Sequence, residues 1–224
     1  VEHDATGEEV MPSLEVLVGF TIAAVVMNLS PGPSNLYVMA RAVAQGARGG
    51  LVAAAGLAVG SLVHVFAAVF GLAAVFQYSP LAYTVFKLAG AAYLIYLGIS
   101  YWRAGPTSLD EGEKLPVKSL GTVFRESVIV EATNPKTALF FLALLPQFVD
   151  PAAGPVAPQF LLLGLIVTVS AVPCDVLVAV SAAKVSQWLI RHERAQVIQE
   201  RVSGSILLGL GGYIVASELA GESR

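Results

Sequence analysis

Asn28-Leu29-Ser30-Pro31-Gly32-Pro33 interrupts an apolar run that extends from about Leu14 to Ala40. A second cluster, Thr133-Asn134-Pro135-Lys136, interrupts a run from about Val123 to Val149. Proline lacks an amide proton and its ring clashes with the preceding turn, so each cluster frees backbone polar groups in mid-segment. Hydrocarbon cannot satisfy such groups, so each break has to face protein or a watered cavity. Paired breaks in the two halves of a membrane chain point to a transport site.

The rest of the composition puts these runs in a membrane. The 224 residues are 56% apolar and 13% charged, with a mean hydropathy of +0.73. Soluble domains carry about 25% charged residues. Six segments approach the roughly 20 apolar residues needed to cross hydrocarbon. They are about Leu14–Ala40, Leu51–Phe76, Pro80–Tyr101, Val123–Val149, Pro158–Ala183 and Val202–Leu219. The predicted fold is all-α: a polytopic membrane protein with six transmembrane helices, of which the first and fourth are broken. Val1–Val10 is polar and acidic, without a signal-peptide layout. Met11 offers a natural start and an acidic tail is the alternative, so the segment stays outside the fold argument.

Basic residues give the expected orientation, because Lys and Arg favour cytoplasmic loops. Arg41 and Arg48 follow the first span, and Arg103, Lys114, Lys118 and Arg125 follow the third. Lys184, Arg191, Arg194 and Arg201 follow the fifth. These are ten of the chain's thirteen basic residues, and the connections after spans two and four have none. Both termini are therefore expected outside.

The halves also share spacing. Pro31 and Pro135 occupy similar places in spans one and four, and Gly56 and Gly164 come early in spans two and five. Lys87, Gly90 and Gly98 are spaced like Arg201, Gly204 and Gly212. This predicts a duplication of three helices whose second copy is inverted. The expected organisation is a polar tail at 1–13, a first repeat at 14–102, a cytoplasmic loop at 103–122, a second repeat at 123–219 and a tail at 220–224.

Ser30-Pro31-Gly32-Pro33 together with Gly90-Ala91-Ala92-Tyr93-Leu94-Ile95-Tyr96-Leu97-Gly98 resembles the first half of the LysE/RhtB family of amino-acid exporters. Asn134-Pro135-Lys136-Thr137-Ala138, followed by Leu145-Pro146-Gln147-Phe148-Val149, is similar to the second half. The resemblance spans about Met11 to Leu219. It implies efflux of a small amino acid or derivative across a bacterial inner membrane, driven by proton motive force. Glu131 departs from the pattern, which has an uncharged residue there, and so bears on substrate choice and ion coupling.

Candidate residues follow from the same segments. Pro31, Gly32 and Pro33 expose carbonyls and amides that suit a zwitterion, and gate it, while Asn35 either lines the site or caps the next half-helix. Asn134, Pro135 and Lys136 form the second gate. A mid-span ammonium is costly and needs a partner. Lys136 therefore either holds a substrate carboxylate or forms a structural pair with Glu131 or Asp175. Asp175 and Glu131 are candidate proton carriers, since carboxylates in a partly dry site exchange protons near neutral pH. Asp175 follows Pro173, which predicts a distorted fifth span, and Glu131 is read as close to the cytoplasmic interface. His64, behind Gly56 and Gly60 on one helical face, is read as a packing residue.

Other classes fit less well. A thiol–disulfide carrier needs two cysteines, and only Cys174 is present. A transition-metal exporter favours clustered His, Asp or Cys ligands, whereas His3, His64 and His192 are far apart. No HExxH or GxSxG marks an enzyme. The expectation is a secondary exporter working by antiport and alternating access, with no cofactor, no metal and no nucleic acid. Its partners are a small amino acid and membrane lipid. A homodimer through the Gly56-x-x-x-Gly60 face is the open possibility, unless that face is used within the bundle.

Overall fold

The computed structural model describes residues 12–30, 32–78, 80–103, 116–191 and 193–219. Pro31, Trp188's side chain and the central part of the 103–122 loop lie outside them. Every regular element among the described residues is helical. In chain order these are α1 (Leu14–Leu29), α2 (Pro33–Ala67), a π-helical turn (Ala68–Leu72), α3 (Ala73–Tyr78) and α4 (Pro80–Arg103). Then come α5 (Leu120–Ala132), α6 (Pro135–Leu144), a 3₁₀ turn (Leu145–Phe148), α7 (Val156–Arg191) and α8 (Glu193–Leu219).

Both expected breaks are present. α1 holds 16 residues, roughly 24 Å at 1.5 Å per residue, which is short of the hydrocarbon thickness. Pro33 starts α2 and Pro135 starts α6, each in the first turn, where the missing proline amide costs nothing. The counterpart of Pro135 is therefore Pro33 rather than Pro31. The axes of α5 and α6 bend by 43° across their break. Among the described residues, two stretches can cross a membrane by length and composition, Pro33–Phe76 and Val156–Ser181, and the bent pair adds a third. Leu14–Leu29 and Arg201–Ala216 are shorter apolar helices.

The first basic connection, expected as a loop near 41–50, is helical on both sides of a single corner. Gly46 has φ 70° and ψ −178° inside α2, a conformation open to glycine and strained for other residues. Contacts along α5 show what the corner does. Residues 34, 37 and 41 of α2 meet 131, 126 and 116, running against α5. Beyond Gly46, Gly56 lies on Phe124 and Ser127, Gly60 on Val128 and Glu131, and His64 on Glu131. This second arm runs with α5, so Gly46 reverses the chain and the two arms of α2 clasp α5 between them.

The Gly56 and Gly60 face is thus covered inside the chain. A Cβ on Gly56 would stand 2.5 Å from the Phe124 carbonyl, and one on Gly60 2.5 Å from that of Val128. The second arm also packs on α7, where Ser61 and Thr168 hydroxyls meet at 2.7 Å. α4 and α8 cross closely because Gly98 and Gly204 face each other. Gly211, not Gly212, makes the next close contact, against Ala91 and Ile95. Pro173 sits inside α7 without ending it.

Phe20, Phe140, Phe160, Leu94, Leu144 and Leu163 fill the centre of the bundle. The outside is equally apolar. Phe70 and Leu81 are each 74% exposed, and Val169 is 66% exposed. Such a surface suits hydrocarbon as its solvent.

Candidate transport site between the two breaks

At the first break the helix end is satisfied by side chains from beyond it. Ser30's amide closes the last turn on the Val26 and Met27 carbonyls. Asn35, one turn into α2, donates its side-chain amide back to the carbonyls of Asn28 at 2.9 Å and Ser30 at 3.2 Å. Lys136 reaches across from α6. Its ammonium donates to the Ser30 carbonyl at 2.6 Å and to the Met27 carbonyl at 3.0 Å. A cation at a helix C-terminus also meets the negative end of the macrodipole. Gly32 gives it room, since a Cβ there would lie 3.0 Å from Lys136 Cδ and 3.2 Å from Nζ.

The second break supplies its own cap. The Asn134 side chain accepts the Lys136 amide at 3.0 Å, as N-cap residues do. Asn134 Nδ2 donates to Ser34 Oγ at 2.8 Å and to a Glu131 carboxylate oxygen at 3.3 Å. Ser34 donates to the same oxygen. The Glu131 carbonyl accepts from the Asn134 amide at 3.0 Å and lies 2.8 Å from His64 Nε2. His64 is buried and held there against Phe141, as expected of a packing residue.

Glu131 is buried, at the last turn of α5, with its carboxylate turned toward the first break. The α2 arms enclose α5 at this point, which the sequence distance from the basic loop does not reveal. Asp175, from the middle of α7, is also buried. A cavity of about 40 Å³ joins these groups, lined by Gly32, Ser34, Asn35, Glu131, Lys136 and Asp175 among others. Glu131 and Lys136 are close enough to act electrostatically on Asp175. The structure thus brings Gly32, Asn35, Glu131, Asn134, Lys136 and Asp175 to one place. Pro33 and Pro135 set the backbone at its edges. Ser34 was not anticipated, and the carbonyls expected at the break are those of Met27 and Ser30. Ser34's signal was a polar residue directly after Pro33; the signal for the carbonyls was the proline break itself, which announced freed carbonyls without saying that Lys136 would take them. Among the described residues no three His, Cys, Asp or Glu side chains converge as a metal site requires.

A second polar cluster lies at the far end of the first α2 arm. Arg41 is buried and donates to the Pro116 carbonyl at 3.2 Å, while Gln45 donates to the Lys118 carbonyl at 2.8 Å. Lys118 pairs with Glu126 at 2.6 Å, and Tyr37 donates to Glu126 at 2.9 Å. These contacts pin the segment entering α5 to α2.

Apolar helices with two opposed breaks enclose a partly buried ammonium and two buried carboxylates, and the family match makes the chain a membrane transporter rather than an enzyme. The chain belongs to the LysE type translocator family, whose model matches residues 25–218. It is 34% identical over 210 residues to an uncharacterized membrane protein of Vibrio cholerae serotype O1, across 92% of this chain and 98% of that one. It is 31% identical over 205 residues to a homoserine/homoserine lactone efflux protein of Salmonella typhimurium, across 90% and 96% of the two chains. A leucine efflux protein of Salmonella choleraesuis is 27% identical over 195 residues, across 87% and 92%. No solved structure matches the chain.

Proposed function

We propose that this protein exports a small primary amine, an amino acid or a close derivative, across the bacterial inner membrane. Six spans, arranged as two inverted repeats, rock about the cavity between the breaks in alternating access. The termini lie outside and the 103–122 loop inside; impermeant labelling of that loop in intact cells would reverse this. Pro31, Gly32, Pro33 and Asn35 gate and bind on one side, with Asn134, Pro135 and Lys136 on the other. Asp175 and Glu131 carry protons inward as substrate leaves.

The observation that carries this reading is the ammonium of Lys136 seated on α1 carbonyls, in the cavity that Glu131 and Asp175 share. That surface of carbonyls and carboxylates is built for a cation. Leucine, homoserine and homoserine lactone, the compounds in the names of the relatives, have a primary ammonium in common, and the lactone lacks a free carboxylate. The cavity of about 40 Å³ has room for a water molecule or two. Helix movement must therefore enlarge it for an amino acid, which supports alternating access.

The test is efflux from loaded proteoliposomes under an inward proton gradient. Leucine, homoserine, homoserine lactone, threonine, lysine and N-acetylleucine form the panel. Export of one or more free amines and none of N-acetylleucine is expected. Export of N-acetylleucine at an equal rate, or of nothing in the panel, would sink the proposal. Asp175→Asn should lose gradient-driven export and keep substrate exchange, which needs no net proton movement. A wild-type pH dependence in that variant removes Asp175 from the coupling.

A further inference from the structure

We propose that Lys136 is a tethered competitor for the substrate's ammonium. The inference rests on the exporter reading above. In the closed cavity the lysine ammonium occupies the seat that a substrate amine would take.

The seat is the C-terminal end of α1. Ser30's carbonyl lies 2.6 Å from Nζ and Met27's lies 3.0 Å away, the range of charge-assisted hydrogen bonds. Neither carbonyl belongs to the lysine's own helix, so the bond joins the two breaks and closes the cavity. The lysine reaches the seat from the first turn of α6, and its flexible stem crosses the break over Gly32. Gly32 has an extended φ of −169°, which any residue adopts. What the site needs from it is absent bulk. Asn35 holds the same helix end from the other side, bonding the Asn28 and Ser30 carbonyls, so the seat keeps its shape when the cation leaves.

Two carboxylates are available to the displaced lysine within the same cavity, those of Glu131 and Asp175. An arriving ammonium takes the α1 carbonyls, and Lys136 swings toward an acid or toward the substrate's carboxylate where it has one. Its release breaks the link between α1 and α6. When the substrate departs, the lysine returns, so the carbonyl seat at the end of α1 always faces a cation. A neutral solute brings no charge to replace the lysine's at the helix end, so the link between α1 and α6 holds against it. The exchange is a swap of one cation for another, with no covalent step.

The probe is propylammonium, which has the cationic group and no carboxylate. Equilibrium binding of radiolabelled propylammonium to the full chain in lipid nanodiscs compares wild type, Lys136→Met and Lys136→Arg. A seat filled about nine-tenths of the time weakens apparent affinity about tenfold. Lys136→Met should therefore bind propylammonium about tenfold more tightly than wild type, and Lys136→Arg should not. Propylammonium should also raise the melting temperature of Lys136→Met by several degrees over sodium chloride, and leave wild type unmoved. If Lys136→Met proves misfolded, Lys136→Gln is measured in its place. Binding by the neutral variant no tighter than by wild type overturns the proposal. Propylammonium resembles no particular amino acid, so the two readings fail separately. Tighter binding without any amino-acid efflux sinks the exporter reading, and efflux with unchanged propylammonium binding sinks the competitor.

Discussion

Between α5 and α6 the chain caps itself, whereas between α1 and α2 it is capped by residues that lie past the break. Asn134 closes the start of α6 with its own side chain, and Asn134's amide returns to the Glu131 carbonyl within the same turn. Gly32 offers the start of α2 no side-chain cap, and the end of α1 depends on Asn35 and on Lys136 from across the cavity. A break that satisfies itself holds its bend whatever its surroundings do. A break satisfied from elsewhere changes when the donor moves. The second break is therefore the fixed tool, and the first is the part that responds to it.

That asymmetry can be broken from either side. The largest effect belongs to Pro31→Ala with Pro33→Ala, which lets α1 run on into α2 and removes the carbonyl seat. Efflux in proteoliposomes should fall to near background while insertion and helix content stay normal. A double variant that exports at the wild-type rate would show that the first break plays no part. Lys136→Met comes next. Hydrogen bonds to charged groups contribute about 1.5–3 kcal/mol, and thermal unfolding in nanodiscs should show a loss of that order. Asn134→Ala is the smallest in stability, about 1 kcal/mol for a lost cap. Its sharper readout is where the damage falls. If the second break caps itself, hydrogen exchange should quicken in the first turn of α6 and not at the end of α1. Equal quickening at both ends would erase the distinction drawn between them.

Much of this was legible in the sequence. Prolines inside apolar runs announce freed backbone whatever the tertiary fold, so both breaks were visible. Charges inside apolar runs are costly and few, which is why Lys136, Glu131 and Asp175 stood out. Gly56 and Gly60 were read as a close-packing face, and they pack on α5, while the spacing of Gly204 and Gly212 was read as a repeat. The spacing could not say which glycines of a Gly-Gly pair touch, and Gly211 rather than Gly212 faces α4. Partners were less readable. Sequence pairs charges with charges, so Lys136 was matched to acids, while its seat is made of Met27 and Ser30 carbonyls, which every residue possesses. Glu131 was read from its nearness to Arg125 in the chain, which does not reveal that α2 doubles back around α5 and buries it beside the first break. That doubling hangs on Gly46, whose neighbours look like an ordinary basic loop.

Gly46 has a consequence for how the protein can be tuned. No atom lies within 4 Å of where its Cβ would stand, yet its φ of 70° carries a penalty of roughly 1–3 kcal/mol for a residue with a side chain. Torsion and packing are usually entangled in a helical bundle, and here they come apart. Substitution at this fulcrum taxes whichever conformers keep the reversal sharp and spares those that relax it. Since about 1.4 kcal/mol changes a population ratio tenfold, a side chain at this exposed corner would weaken the reversal that sets both arms of α2 against α5 while leaving every residue that lines the cavity unchanged.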